Sequence, residues 1–182
     1  MDDVLVAELS VFRSWSRKRA LRILEVGVAR STADEYRVGD GWSSVSFAHD
    51  VRDFGGSLTG VDLDVSAARE LLAGEGLVEE LIEGDSRDVL RRLGGEGRRF
   101  DVVFLDGAND AEVVLEEFWL VEELGLVDGP GVIIADDMDM NDPEVVKGHL
   151  LIPHLQETGR AFRMTYRETP WCRRDILVMN VV

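Results

Sequence analysis

One cysteine stands in 182 residues. Cys172 has no internal partner, which excludes a disulfide-stapled fold and is the usage expected of a reducing, cytoplasmic compartment. Positive charge is also scarce. The 20 Lys and Arg face 36 Asp and Glu, for a formal net charge of −16. Such a balance repels phosphate backbones and anionic bilayers, so neither nucleic acid nor a membrane is the expected partner. No apolar run approaches the roughly 20 residues that cross a bilayer. The first residues, MDDVLVAELS, are acidic where a signal peptide is basic. There is no repeat, no low-complexity tract and no linker that would split the chain. Phosphate-cradling motifs are absent as well. The stretch GVARSTADEYRVGDG (27–41) fits neither G-x-G-x-x-G nor G-x-x-x-x-G-K-[ST].

What remains is ordinary material for one soluble domain. Apolar residues make up 45% of the chain and charged residues 31%, enough for a sizeable core. Val4, Leu5, Leu9, Phe12 and Trp15 recur at helical spacing and predict a helix over 2–19. Strands then alternate with helices. Strands are expected at 21–26, 57–63, 78–83, 101–105 and 131–135, and helices at 42–54, from Ser66 to near Gly74 or Gly76, 87–93 and 111–124. The runs 102–105 and 132–135 do not alternate with polar residues, which suits strands covered on both faces of a parallel sheet. Five strand–helix units predict a doubly wound α/β fold. Asp142-Pro143-Glu144 opens a further helix, interrupted in its last turn by Pro153. Strands at 161–166 and 175–181 follow, joined by RETPWCRR, too short for a crossover and hence antiparallel.

In open parallel sheets, ligands bind beyond the carboxyl ends of the strands. Acids collect there. Strand one ends in Glu25-Val26-Gly27, strand two in Asp62-Leu63-Asp64, strand three in Gly84-Asp85-Ser86, strand four in Asp106 and strand five in Asp136-Asp137. An acidic crevice suits a ligand with hydroxyls and a cation better than one with several phosphates. An acid after strand two can accept both hydroxyls of a ribose, and a polar group after strand three can accept from an adenine amine. A glycine after strand one lets a methionine-like tail lie against the backbone.

The segments ILEVG (23–27), GVDLD (60–64), EGDSRDVL (83–90), FDVVFLDG (100–107) and GPGVIIADD (129–137) resemble, in order and spacing, those of class I S-adenosylmethionine-dependent methyltransferases. The resemblance covers roughly residues 20–140. It implies a Rossmann-like, doubly wound, mostly parallel seven-stranded sheet with an antiparallel C-terminal pair, in one domain over 1–182. Residues 1–20 would be an N-terminal helix, 21–140 the cofactor-binding core and 141–182 the C-terminal helix and strand pair. Within the family the chain is most similar to the catechol-type small-molecule O-methyltransferases. That likeness implies methyl transfer from S-adenosylmethionine to an oxygen of a small hydroxylated molecule. Asp106, Asp136 and Asp137 would bind a divalent metal, with Mg²⁺ the ion suited to oxygen-only ligands. Glu25, Gly27, Asp62, Asp85, Ser86 and Asp106 would contact the cofactor, with Asp64 the rival of Asp62 for the ribose. A second copy of the chain is an admissible partner.

Two departures from the family pattern stand out. Between Gly27 and Gly60 lie 32 residues, longer than the family's usual spacing. One alignment makes VGDGWSSVSFA (38–48) the delayed half of the glycine-rich loop, with Gly39, Asp40, Gly41, Ser43 and Ser44 at the methionine end. The rival alignment puts Ser31-Thr32 there. The second departure concerns the base. Catechol-type enzymes carry a basic residue a few positions after the strand-four acid, and here Asp106-Gly107-Ala108-Asn109-Asp110 holds none. The general base is therefore not identified; His149 and His154 are candidates, with ordinary surface or packing roles as the competing reading, and His49 lies mid-helix. The basic run Arg13, Arg17, Lys18, Arg19 and Arg22 reads as a solvated helix face or as a contact for an anionic substrate. Trp15, Trp42, Trp119 and Trp171 are core by default, although Trp42 and Trp171 could wall an aromatic substrate.

Overall fold

The computed structural model describes residues 3–33, 42–77, 79–138, 146–168 and 173–181. Within them the elements run α1 (Asp3–Ser16), β1 (Leu21–Val26), α2 (Ser43–Phe54), β2 (Gly56–Asp62), α3 (Ser66–Gly74), β3 (Glu80–Glu83) and α4 (Ser86–Gly95). They continue with β4 (Phe100–Leu105), α5 (Ala111–Glu123), β5 (Val127–Asp136), α6 (Gly148–Glu157), β6 (Arg163–Glu168) and β7 (Arg173–Val181). The strands form one sheet in the order β3-β2-β1-β4-β5-β7-β6. The pairs β1–β2, β2–β3, β1–β4 and β4–β5 are parallel. β7 runs antiparallel to both β5 and β6. This is the expected seven-stranded, doubly wound sheet with its antiparallel pair.

The unbroken apolar runs explain the layering. On β4, Val102 and Phe104 join a cluster with Leu5, Leu9, Phe12 and Phe47 from α1 and α2. The intervening Val103 and Leu105 join a second cluster with Leu90, Phe118, Leu151 and Leu155 from α4, α5 and α6. Alternate side chains leave a strand on opposite faces, so a strand covered by helices on both sides needs apolar residues at every position. Phe104 meets Phe47 edge-on at 5.3 Å between ring centroids, and its truncation to alanine removes on the order of 3–5 kcal/mol.

Most boundaries shift by one or two residues, and β5 begins four residues early, at Val127 rather than 131. α1 ends at Ser16 rather than near residue 19, because Arg17 adopts a left-handed backbone (φ 59°) and turns the chain toward β1. The opening of the helix expected at Asp142-Pro143 lies outside the described residues. α6 runs through Pro153 to Glu157 instead of breaking there. Proline removes one ladder hydrogen bond, but Pro153 faces solvent while Leu151 and Leu155 on either side are fully buried and hold the helix down.

The basic run near the N-terminus is no solvated helix face. Lys18 Nζ lies 2.6 Å from Asp101 Oδ1, and Arg22 contacts the same carboxylate at 3.0 Å. Arg13 pairs with Asp50 of α2 and stacks over Phe54 at 4.4 Å. These charges tie α1 and β1 to the amino ends of the strands. Trp15 and Trp119 are 48% and 43% exposed and do not belong to the core. Trp42 does, at 7%. Trp171 lies outside the described residues.

Candidate active site

The strand order reverses between β1 and β4, and a cavity of about 220 Å³ opens there at the carboxyl ends. Its wall passes from Gly27 to Asp62, to Gly84–Arg87, and on to Gly107 and Ala108, with Val113 and Glu117 of α5 closing one side. Gly27 is required by space and by conformation. Its φ is +87°, and a Cβ there would lie 2.5 Å from the backbone carbon of Asp106. The chain leaving β1 therefore passes directly over the chain leaving β4, fixed by Asp106 N–H donating to Val26 O at 2.8 Å. Asp62 Oδ2 accepts the Val28 amide at 3.0 Å, which turns its carboxylate into the cavity wall. Asp64 instead accepts the Ser66 amide at 2.8 Å, a local turn bond just ahead of α3.

The two serines opening α2 are buried and brace the end of β1. Ser43 Oγ donates to Glu25 Oε1 at 2.6 Å, and Ser44 Oγ accepts the Ala29 amide at 3.0 Å. Ser31 Oγ accepts the Ala33 amide at 3.2 Å, a local bond. Geometry thus brings Ser43 and Ser44 to the end of β1, as the first alignment expects. Gly39, Asp40 and Gly41 lie outside the described residues. Glu25 is fully buried, and burial pushes its carboxyl up to about 8, against hydrogen bonds from Ser43 and Ser44 that favour the ionised form.

Asp106, Asp136 and Asp137 come together as expected, each offering an oxygen within 4.8 Å of the others. Asp137 is held with φ 56°, an uncommon conformation for a residue with a Cβ, and its amide donates to Asp175 O at 2.9 Å. A cation that sequence reading missed completes the cluster. Lys147, 3% exposed, places Nζ 2.5 Å from Asp106 Oδ1 and 3.9 Å from Asp137 Oδ2. Burial works against its charge, but the field of Asp106 and Asp137 outweighs this, so its pKa is raised and it stands as an ammonium. The neighbouring Gly148 makes the placement possible. A Cβ there would fall 1.8 Å from the backbone oxygen of Met138, so the start of α6 packs straight onto the turn after β5.

The model of a methyltransferase domain matches residues 37–138, more than half of the chain. The chain belongs to the methyltransferase domain family. It is a class I, S-adenosylmethionine-dependent member. No curated protein matches it. Among solved structures it is similar to the O-methyltransferase TomG of Streptomyces achromogenes, involved in tomaymycin synthesis and solved with S-adenosylmethionine. That match has a TM-score of 0.67 and 21% identity over 97% of this chain and 80% of that one. An O-methyltransferase of Bacillus cereus, solved with S-adenosylhomocysteine, matches with a TM-score of 0.68 and 19% identity over 96% and 81%. MycE of the mycinamycin pathway, solved with Mg and S-adenosylhomocysteine, matches with a TM-score of 0.57 and 19% identity over 95% and 48%. These likenesses establish the fold.

In this methyltransferase the histidine candidates sit on α6, and His49 on α2. His154 accepts the Trp119 indole N–H at 3.2 Å and meets Phe118 edge-on at 6.0 Å, which makes it an α5–α6 packing residue. His149 is exposed on the first turn of α6, and His49 faces Glu75 at 3.7 Å. Asp85 caps α4 through the Arg87 amide, and the Arg87 guanidinium holds its carboxyl down to about 2. Besides Lys147, the sequence reading missed Glu117. It is 1% exposed, lines the cavity and accepts from Ser86 Oγ at 2.5 Å, and burial pushes it up to about 7. Its signal was legible: Val113, Glu117 and Val121 share one face of α5 at four-residue spacing, so the acid interrupts an apolar stripe.

Proposed function

We propose that the chain moves the methyl group of S-adenosylmethionine to an oxygen of a small hydroxylated molecule. The observation that carries this reading is the carboxylate cluster with Lys147, set beyond the ends of β4 and β5, next to the cavity between β1 and β4. The reaction is an in-line displacement. An oxygen lone pair forms the new bond to the methyl carbon as the sulfur–methyl bond breaks, leaving a neutral thioether. The hydroxyl proton must leave, and the acceptor must be held in line.

The chain's residues divide these tasks. Asp62 takes the ribose hydroxyls, and Gly27 lets the amino-acid tail lie on the backbone. Asp106, Asp136 and Asp137 accept the proton or hold what replaces it. The Lys147 ammonium donates to the developing oxyanion rather than abstracting its proton, since its pKa is raised. The donor set also fits a hard divalent cation: it is oxygen-only, its atoms are within 4.8 Å, and three carboxylates face one ammonium. Mg²⁺ held by Asp106, Asp136 and Asp137 would supply Lewis acidity that lowers the pKa of an acceptor hydroxyl.

Lys147 also favours a second reading, in which its ammonium is the sole cation at the carboxylates and transfer needs no metal, to an oxygen or a nitrogen. Labelled cofactor with a panel of catechols and sugars, with and without chelator, separates the two. Chelator-sensitive transfer supports the first and chelator-indifferent transfer the second. Tight cofactor binding with no transfer to any acceptor defeats both and leaves a binding module without turnover.

A further inference from the structure

We propose that Glu117, rather than the strand-three residues alone, reads the 6-amino group of the cofactor's adenine. The proposal rests on the cavity being the cofactor's. An amine of this kind needs an acceptor at the end of a flat, apolar slot. The sequence offers Asp85 and Ser86 for it; each keeps spare lone pairs, but each already has a partner, and the Asp85 side chain is 37% exposed. Asp85 Oδ1 accepts from the Arg87 amide and Nε, each at 3.0 Å, and its Oδ2 accepts from the same guanidinium at 2.8 Å. Ser86 spends its hydroxyl proton on Glu117 Oε1.

The oxygen left over is Glu117 Oε2. It is buried and has no hydrogen-bond partner among the described residues. Leaving such an oxygen unpaired in a helix packed against the core is costly, and an apolar side chain beside Phe118 would avoid that cost. A ligand N–H relieves it. Ser86 fixes the carboxylate's rotamer from one side, so the second oxygen is presented in a set direction. Val26, Val61, Ala108 and Val113 supply the apolar walls of the slot. At about pH 8, where most of Glu117 is ionised and the titrations are run, a 6-oxo purine would instead set its own oxygen against Oε2, acceptor against acceptor.

The test is titration calorimetry with S-adenosylhomocysteine and its 6-oxo counterpart, S-inosylhomocysteine. The wild-type chain should bind the amino form at least about tenfold more tightly, the loss expected when a buried acceptor goes unpaired. In Glu117→Gln the amide can turn its NH₂ toward a 6-oxo group, and the preference should shrink to within about threefold. Ser86→Ala, which only frees the rotamer, should fall between. Equal binding of both ligands by the wild type overturns the proposal, and so does a tenfold preference surviving in Glu117→Gln. Should Glu117→Gln fail to fold, Glu117→Met, which keeps the bulk and removes the acceptor, decides in its place, and a tenfold preference surviving there overturns the proposal. Failure of the wild type to bind either ligand is a different result, because it removes the cofactor cavity itself and this proposal with it.

Discussion

The two ends of the sheet treat buried acids in opposite ways. At the amino end, burial alone would raise Asp101, but Arg22 and Lys18 overcome it and hold the carboxyl down to about 2. At the carboxyl end, Glu25 and Glu117 are buried without a comparable cation and are pushed up to about 8 and about 7. The backbone does not follow this division, since Arg17 before β1 and Asp137 after β5 are both left-handed. Asp85 shows that pairing, and not location, sets the outcome: at the same carboxyl end but beside Arg87, it is held down to about 2. One end of the sheet spends its charges on stability. The other keeps buried acids without such pairing around the proposed cofactor cavity, the usual cost of a site.

Removing the resident cation from the carboxyl end is the largest expected break in that contrast. Lys147→Met should slow methyl transfer on the order of 100-fold while cofactor affinity changes only a few-fold. Single-turnover rates and a calorimetric titration check the two halves, and a slowed rate with equally weakened cofactor binding would reassign Lys147 to the cofactor pocket. Asp101→Ala at the amino end should do the reverse. It strands Lys18 and Arg22 and should cost about 2 kcal/mol, lowering Tm by roughly 4–8 °C, with cofactor affinity unchanged.

Glu25→Gln sharpens the comparison through pH. The ordinary carboxyl value is 4.5 and the folded value about 8. Below 4.5 both folded and unfolded chains hold the proton. Between 4.5 and 8 the unfolded chain releases it first, so wild-type stability falls as pH rises, and the loss is complete above 8. The variant carries no such penalty. Its apo form should match the wild type near pH 4.5 and exceed it by a few kcal/mol, in order of magnitude, near pH 9. Urea unfolding across that range measures the gap, and a constant offset would show that Glu25 is ionised throughout.

The contrast also marks what the sequence could tell. The apolar runs of β4 and β5 are unbroken, so the strands, their burial and the meeting of Asp106 with Asp136 and Asp137 follow from local pattern plus one topological rule. Lys147 was not legible in that way. It reaches Asp106 from 41 positions along the chain, and only the close contact of Gly148 with Met138 puts it there. The basic run misled for the same reason. Arg13, Lys18 and Arg22 belong to one basic run in the sequence, but their partners Asp50 and Asp101 are distant from it. Glu117 was legible from its place in an apolar stripe but was passed over, since Glu112, Glu116, Glu122 and Glu123 lie along the same helix.

The smallest effect comes from two neighbouring acids that the sequence left in competition. Asp64 is solvent-exposed, and hydrogen bonds from Ser66 keep its carboxyl below the usual range. It serves the turn just ahead of α3. Asp62 lines the cavity and is oriented by the Val28 amide. Asp64→Ala should therefore lower Tm slightly and leave S-adenosylhomocysteine affinity within about twofold, as expected for an exposed turn residue. Asp62→Ala should weaken that affinity by about tenfold or more, because two ribose hydroxyls lose a charged acceptor. Parallel titrations of the two variants decide the matter. If Asp64→Ala were the one to weaken the cofactor, the ribose would lie one turn further out than the cavity allows, and the division between turn and binding acids at this end of the sheet would have to be redrawn.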